Sequence, residues 1–277
     1  MAKGRLLIIG GKEDKDGSTP DMEGKNKDFS PNEILKLLTV SKDDRIEIIT
    51  AASSEPESMR KTYTKTFNEI GYSNFDFLEV CDTQLHTDYQ LKRVSAAKTV
   101  FFTGGDQDRI YEKLKDSALK SLIKEKYNNE SGFTIAGTSA GAMCLPEIII
   151  LEAVNGEAML EHDIELNSGL GFIDNCIIDT HFVHRARFGR LAHAVILYRH
   201  CWGIGLGEDT ALLIEEGGHA TCKGSGMVWL LNAENIGQTN IDSVEKGSPI
   251  YAENLKVHIL TDGCMFDFNE KIFKGSR

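Results

Sequence analysis

Residues 134–146, "TIAGTSAGAMCLP", place one serine among small residues, between a buried apolar run and a helix-like pattern. Residues 137–141 match the G-x-S-x-G pattern of a nucleophile elbow. Such a strand-to-helix turn is sharp, so the neighbouring side chains must be small, and it lifts the serine hydroxyl out of the sheet. The pattern predicts Ser139 as a nucleophile and the Ala140 amide, at a helix N-terminus, as an oxyanion donor. A glycine-rich turn that only closes a strand remains the alternative.

A second predicted strand also ends in small residues, in "FFTGGDQ" over residues 101–107. Paired glycines let backbone amides approach a ligand closely, because no Cβ intervenes. Gly105 is therefore a candidate for the second oxyanion donor, and Gln107 for a hydrogen bond to substrate. The alternative is a turn followed by a helix that Asp106 caps.

A serine nucleophile needs a base, and the chain offers eight histidines. His181 stands out because it follows an apolar run in "IIDTHFVHRARFGRL", residues 177–191, and so lies just past a strand end, as Ser139 does. The other histidines of this region, His184, His193 and His200, fall in or near the following helix and are more typical of surface or packing positions.

A third group should orient the imidazole of such a base. Glu157 lies between Ser139 and His181 in the sequence, so it would match the order serine, acid, histidine. Asp179 is the competing carboxylate, although neighbouring strand residues point to opposite faces. The sequence leaves both open.

Arg185, Arg187 and Arg190 follow the histidine. At a cleft formed by strand ends they would bind a carboxylate through paired N–H groups. They would equally form a solvated helical face.

These residues need elements that position them, and the chain alternates short apolar runs with amphipathic stretches. Strands are predicted near residues 5–11, 44–50, 75–80, 99–105 and 133–137, with helices near 53–71 and 108–127. Strands buried on both faces and alternating with helices indicate an α/β fold with a mostly parallel sheet and helices on both faces. Residues 12–32 are expected to be a mobile loop, and the C-terminal third to be strand-rich and partly antiparallel. We expect one domain over residues 1–277.

The composition narrows the class of protein. The net charge of −11 and the pI near 5.3 argue against nucleic acid as a partner. The six cysteines lack CxxC spacing and suit reduced, mostly buried thiols. Hydrolysis by a serine and a histidine needs no metal or organic cofactor, and no cluster of residues has metal-ligand spacing, so neither is expected. No apolar run approaches a membrane span, and we expect a cytoplasmic protein with no membrane partner.

The set "FFTGGDQ", "GTSAGA", "DTHFVHRARFGRL" and "GIGLGEDTAL" resembles the cyanophycinases, in the serine peptidase family that includes peptidase E. The resemblance runs from the N-terminal "LLIIGG" to about Leu213, and the arginine-bearing block is its most specific part. It implies a flavodoxin-like fold, similar to class I glutamine amidotransferases, and a homodimer. It also implies exolytic hydrolysis of cyanophycin, a polyaspartate with arginine on each β-carboxyl group, to β-aspartyl-arginine.

The resemblance also implies roles for individual residues. Ser139 matches the nucleophile, His181 the general base, and Gly105 and Ala140 the oxyanion donors; Glu157 matches the acidic position less securely. The residues implied at the substrate are Gln107, Asp179, Arg185, Arg187 and Arg190. Glu208 and Asp209 of "GLGEDTAL" are candidate guanidinium contacts, with an N-cap or a surface pair as the alternative. The chain departs from the family at Thr180, often Gln, and at Asp106, often Asn, which leaves the substrate preference open.

Other functions are possible for the same residues. An aspartyl or isoaspartyl dipeptidase of the peptidase E type would use this machinery on another substrate. A non-catalytic binding protein on an amidotransferase-like fold is disfavoured by the intact Ser139 and His181. A glutamine amidotransferase is disfavoured because its nucleophile would be cysteine, and Cys144 lies too far along the predicted helix to replace Ser139.

Overall fold

The computed structural model describes residues 2–15, 30–80, 88–153, 158–160 and 163–276. These residues form the strands β1 (Arg5–Ile9), β2 (Ile46–Ile49), β3 (Phe75–Leu78), β4 (Thr99–Phe102), β5 (Thr134–Thr138), β6 (Ile148–Ala153), β7 (Ile164–Ser168), β8 (Cys176–Asp179), β9 (Trp202–Leu206), β10 (Thr210–Glu215), β11 (His219–Gly224), β12 (Val228–Asn232), β13 (Lys256–Leu260), β14 (Met265–Asp267) and β15 (Ile272–Lys274). The helices are α1 (Pro56–Ile70), α2 (Asp88–Ala96), α3 (Gln107–Leu114), α4 (Ala118–Asn129), α5 (Ala140–Met143) and α6 (Phe188–Leu197).

The main sheet has nine strands in the order β15-β14-β11-β10-β1-β5-β4-β2-β3. Five neighbouring strands run parallel: β1, β5, β4, β2 and β3. On the other side of β1 the sheet is antiparallel, with β10 beside β1, then β11, and then the C-terminal hairpin of β14 and β15. The predicted α/β fold is therefore confirmed, and so is the antiparallel C-terminal part. The turn between β10 and β11 has positive φ at Glu216 and Gly217, which suits a tight hairpin.

Helices cover both faces of the parallel strands, because the side chains of each strand alternate between two apolar cores. On one face, Leu7 and Ile9 pack with Tyr63 and Phe67 of α1. The other face packs against α2, α3 and α4. Helix α1 begins with a proline and ends at Gly71, whose left-handed φ of 91° terminates the helix.

The prediction of a single helix over residues 108–127 is wrong, because the structure has two helices there, α3 and α4. Lys115 leaves the helical region and Asp116 has a φ of 54°. Ser117 then caps α4, as its hydroxyl accepts the Lys120 amide at 3.0 Å. The apolar spacing continues across this break because both helices bury the same side against the sheet.

A second sheet of four strands, in the order β13-β12-β9-β8, was not expected from the sequence. Strands β8 and β9 are parallel neighbours, so their carboxyl ends lie side by side. One face of this sheet joins the core shared with α2 to α4, and α6 packs against the other.

Two remaining expectations concern the loop and the membrane. Of the loop expected over residues 12–32, residues 16–29 lie outside the described part of the chain, and the carboxylates of Glu13 and Asp14 are buried. Across the described ranges, every helix falls short of the length and apolar character needed to cross a membrane.

Candidate active site

Ser139 occupies a strained turn between β5 and α5. Its φ of 53° and ψ of −122° lie outside the regions that non-glycine residues favour. The flanking glycines have no room for a side chain: a Cβ at Gly137 would lie 2.2 Å from the Gly141 carbonyl oxygen, and one at Gly141 would lie 2.2 Å from the oxygen of Phe102. This close packing explains the small residues that the elbow pattern requires.

His181 follows the carboxyl end of β8 and reaches the serine. Its Nε2 lies 2.9 Å from the Oγ of Ser139, and the residue is 8% exposed. The two side chains, 42 positions apart in the chain, are thus within hydrogen-bond distance, as the sequence analysis expected of a nucleophile and its base.

Glu208 completes a chain of three groups. Its Oε1 lies 2.7 Å from Nδ1 of His181, and its Oε2 lies 3.1 Å from the ammonium of Lys12. An ionised carboxylate only accepts hydrogen bonds, so Nδ1 carries the proton and donates it. Nε2 is then an acceptor for the Ser139 hydroxyl, which is the tautomer that a general base requires.

The local electrostatics suit these roles. Burial lowers the pKa of His181, and the neighbouring cations Arg185 and Arg187 lower it further, while Glu208 acts in the opposite direction. Burial acts to raise the pKa of Glu208, but the hydrogen bonds from His181 and Lys12 outweigh it, so this pKa is lowered. At neutral pH the acid is therefore ionised and the imidazole is free to accept a proton.

The two candidate oxyanion donors are Ala140, which follows the serine in the chain, and Gly105, which follows a glycine packed against the serine. Ala140 is the first residue of α5, where an amide has no partner within the helix. Gly104, which precedes Gly105, lies so close that a Cβ on it would be 3.3 Å from the Cβ of Ser139. Gly105 itself has a φ of 143°, and a Cβ there would meet the Ala52 carbonyl oxygen at 2.1 Å.

The residues after these glycines make structural contacts. Asp106 caps α3, because its Oδ1 accepts the amide of Asp108 at 2.9 Å. The Nε2 of Gln107 donates to the carbonyls of Ile150 (3.3 Å) and Leu151 (3.0 Å) and so ties α3 to β6. The amide group expected at the substrate is engaged with the backbone.

Asp179, which the sequence analysis expects at the substrate, lies in a buried cluster with two arginines. It is fully buried, and Nε of Arg190 donates to its Oδ2 at 2.6 Å. Arg187 donates to its Oδ1 at 3.0 Å and to the Thr180 carbonyl at 2.8 Å. Asp179 therefore pairs with two of the predicted substrate arginines rather than with His181. Arg185 is exposed, and burial lowers the pKa of Arg187 to about 10.

Glu208 is the site residue that the sequence analysis assigned to another role. The sequence could have indicated Glu208 as a site residue through its position in "GLGEDTAL", because it lies just past the end of a strand, as Ser139 and His181 do. Glu157, the candidate chosen by sequence order, lies outside the described residues. The nearby Asp209 binds Ser225 through its Oδ2 at 2.6 Å and accepts the Asp14 amide through its Oδ1 at 3.1 Å.

Comparison with known proteins places this arrangement in a family. The model of "Peptidase family S51" matches residues 16–222. The chain belongs to peptidase family S51. It is therefore a peptidase, in agreement with the resemblance found in the sequence.

Individual S51 relatives match nearly the whole chain. A protein named cyanophycinase from Nostoc sp. (strain PCC 7120) is 32% identical over 273 residues, which cover 97% of this chain and 87% of that protein. A cyanophycinase from Synechococcus elongatus is 31% identical and covers 96% and 79%, respectively. The crystal structure of a peptidase from an acI-B1 Actinobacterium superposes with a TM-score of 0.64, covering 96% of this chain and 98% of that one. At 22% identity, that last likeness concerns the fold.

Proposed function

We propose that this chain is a serine exopeptidase that hydrolyses cyanophycin to β-aspartyl-arginine dipeptides. The observation that carries the proposal is the chain of contacts from Ser139 Oγ to His181 Nε2 (2.9 Å) and from His181 Nδ1 to Glu208 (2.7 Å). Membership of family S51 and the relatives named cyanophycinase support the substrate.

In the first half of the reaction, Ser139 attacks an aspartyl carbonyl carbon of the polymer backbone. His181 Nε2 takes the hydroxyl proton as the Oγ–carbon bond forms, and Glu208 stabilises the resulting imidazolium. When the tetrahedral intermediate collapses, the bond from carbon to nitrogen breaks. His181 gives its proton to the departing amine, which leaves an acyl-enzyme on Ser139.

The second half repeats these steps with water. His181 takes a proton from a water molecule that attacks the ester carbon, and it then returns a proton to the Oγ of Ser139. The Ala140 and Gly105 amides are our candidates for stabilising the oxyanion in both halves. Loss of one such donor typically costs about 3–4 kcal/mol of barrier.

For substrate recognition we propose Arg185 and the N–H groups of Arg187 that Asp179 leaves unused. Both arginines belong to the turn that follows His181, since the Arg185 amide donates to the His181 carbonyl at 3.0 Å and the Arg187 guanidinium donates to the Thr180 carbonyl at 2.8 Å. A carboxylate of the polymer bound there would be held close to the scissile bond. Asp179, which is also paired with the buried Arg190, then holds the Arg187 guanidinium in place.

We also propose a cytoplasmic homodimer. The five cysteines among the described residues are free thiols, which suits a reducing compartment. Val257 and Ile259 of the edge strand β13 are 38% and 45% exposed, which suits an interface with a second copy. Light scattering of the purified protein measures the mass directly, and cell fractionation tests the compartment.

The substrate is tested by offering the purified enzyme two classes of compound. Insoluble cyanophycin and short aspartyl or isoaspartyl dipeptides are incubated separately, and products are identified by mass spectrometry. The proposal expects β-aspartyl-arginine from the polymer. Cleavage of the dipeptides alone would instead identify a peptidase E-type dipeptidase.

A further inference from the structure

Residues 9–14, which begin at the last residue of β1, contact Ser139, His181 and Glu208; we call this segment the brace and these three residues the triad. Three consecutive backbone carbonyls of the brace accept hydrogen bonds from the segments that carry the triad. The Ile9 carbonyl accepts the Ser139 amide at 3.0 Å, and the Gly10 carbonyl accepts the His181 amide at 2.9 Å. The Gly11 carbonyl accepts the amide of Asp209, the residue after Glu208, at 2.9 Å. One short piece of backbone thus sets the spacing between nucleophile, base and acid.

The residues that donate these hydrogen bonds are all strained. Ser139, His181 and Asp209 have φ values of 53°, 50° and 46°. Such a conformation of a non-glycine residue is energetically unfavourable and persists only where its surroundings enforce it. The brace carbonyls supply this enforcement, because each fixes the amide of a strained residue.

The contact between brace and triad leaves no room for side chains at the two glycines. A Cβ at Gly10 would lie 1.8 Å from the carbonyl oxygen of Gly207, in the loop that leads to Glu208. A Cβ at Gly11, whose φ is 95°, would lie 2.5 Å from the ring of His181. Glycine is needed at both positions for the brace to approach the acid and the base.

A side chain of the brace fixes the nucleophile as well. Glu13 is 3% exposed; its Oε2 accepts the hydroxyl of Thr138 at 2.5 Å, and its Oε1 accepts that of Tyr63 at 2.6 Å. Burial acts to raise the pKa of Glu13, but Lys15 at 3.0 Å and the hydrogen bonds from Thr138 and Tyr63 outweigh it and lower the pKa. Glu13 is thus an ionised acceptor, and hydrogen bonds to such acceptors are among the stronger ones.

We propose that Glu13 is a positioning residue of the peptidase, which holds Ser139 in line with His181 through the hydroxyl of Thr138. Thr138 precedes Ser139 directly, so a shift of its side chain turns the elbow. The role of Glu13 rests on the proposed function, since alignment matters only if Ser139 attacks. A misplacement of about 1 Å at a reacting atom costs up to about 100-fold in rate.

The test compares Thr138→Val, which keeps the shape but lacks the hydroxyl, with Thr138→Ser, which restores the hydroxyl. The rate of reaction of Ser139 with a fluorophosphonate is measured alongside kcat and KM on cyanophycin. We expect Thr138→Val to lose about 10- to 100-fold in kcat and in probe reactivity with KM nearly unchanged, and Thr138→Ser to stay near wild type. Glu13→Gln, measured in the same way, should lose rate as Thr138→Val does.

Tyr63→Phe is the matched control, because it removes the other hydroxyl on Glu13 without touching the elbow. We expect it to change thermal stability more than rate. Equal rates for Thr138→Val and wild type would overturn the proposal, as would equal losses in the valine, serine and phenylalanine variants. A wild type that reacts with the probe but releases no dipeptide would refute the substrate, and the probe rates of the Thr138 variants would then decide the positioning role.

Discussion

Glu208 and His181 share a hydrogen bond of 2.7 Å, although the acid follows the base in the chain by 27 positions. The two residues come together because β8 and β9 are parallel neighbours in the second sheet, and each residue lies just past the end of its strand. This relationship fixes the tautomer of His181 and so decides whether Nε2 can accept the proton of Ser139.

Replacement of Glu208 by glutamine should lower kcat by a factor of about 10⁴, because the amide can donate to Nδ1 and hold the imidazole in the wrong tautomer. Steady-state kinetics on cyanophycin measure the loss. Glu216→Gln, whose side chain is 84% exposed, is the control and should behave as wild type. Retention of most of the activity by Glu208→Gln would show that another group orients His181.

The pH dependence of the free enzyme should reflect the lowered pKa of His181. Since the neutral imidazole is the active form, kcat/KM should rise with pH on the acidic limb of the profile. The midpoint of this limb should lie below 6.5, the ordinary pKa of histidine. Arg185→Gln removes a cation that disfavours the protonated ring, so the limb should move to higher pH. Arg199→Gln, at an exposed arginine paired with Asp242, should leave it in place. A limb that does not move in Arg185→Gln would contradict this electrostatic account.

The buried pair of Asp179 and Arg190 should contribute to stability. Asp179→Asn leaves buried guanidinium groups without their counter-charge, and breaking a buried pair in this way costs about 3–5 kcal/mol. Urea unfolding measures the change in the free energy of unfolding. Asp242→Asn, in an exposed pair, should cost at most about 1 kcal/mol. An unchanged free energy with a raised KM would instead assign Asp179 to the substrate.

Gly11→Ala should reduce activity strongly, because the new methyl group would overlap the ring of His181 and the backbone has a φ of 95°. Both the rate of reaction with a fluorophosphonate and kcat should fall. Gly132→Ala is the control for the strain of a left-handed glycine, since its φ is 77° and nothing lies within 4 Å of the added Cβ. Similar activities of the two variants would argue against close contact between the brace and the base.

Much of this architecture could be predicted from the sequence, because local patterns carry it. Apolar runs predicted the parallel strands, and the small residues after two of these runs singled out Ser139 and Gly105 as candidate site residues. His181 was predicted by the same logic of strand ends, and its contact with Ser139 is the geometry expected of a base.

The acid that contacts His181 could not be predicted from sequence order. Order suggested an acid between the serine and the histidine, whereas the carboxylate at His181 comes from a strand end later in the chain. Recognising it required the pairing of β8 with β9, and pairing between strands is a long-range property that no local pattern records. The burial of Glu13 was missed for a similar reason: its partners Tyr63 and Thr138 are 50 and 125 positions away.

The most direct test of the central claim is release of β-aspartyl-arginine from purified, insoluble cyanophycin by wild type and by Ser139→Ala. The account predicts that wild type releases the dipeptide and that the alanine variant, equally folded, releases none above the uncatalysed background. Equal release by the two proteins would show that Ser139 is not the nucleophile and would contradict the mechanism.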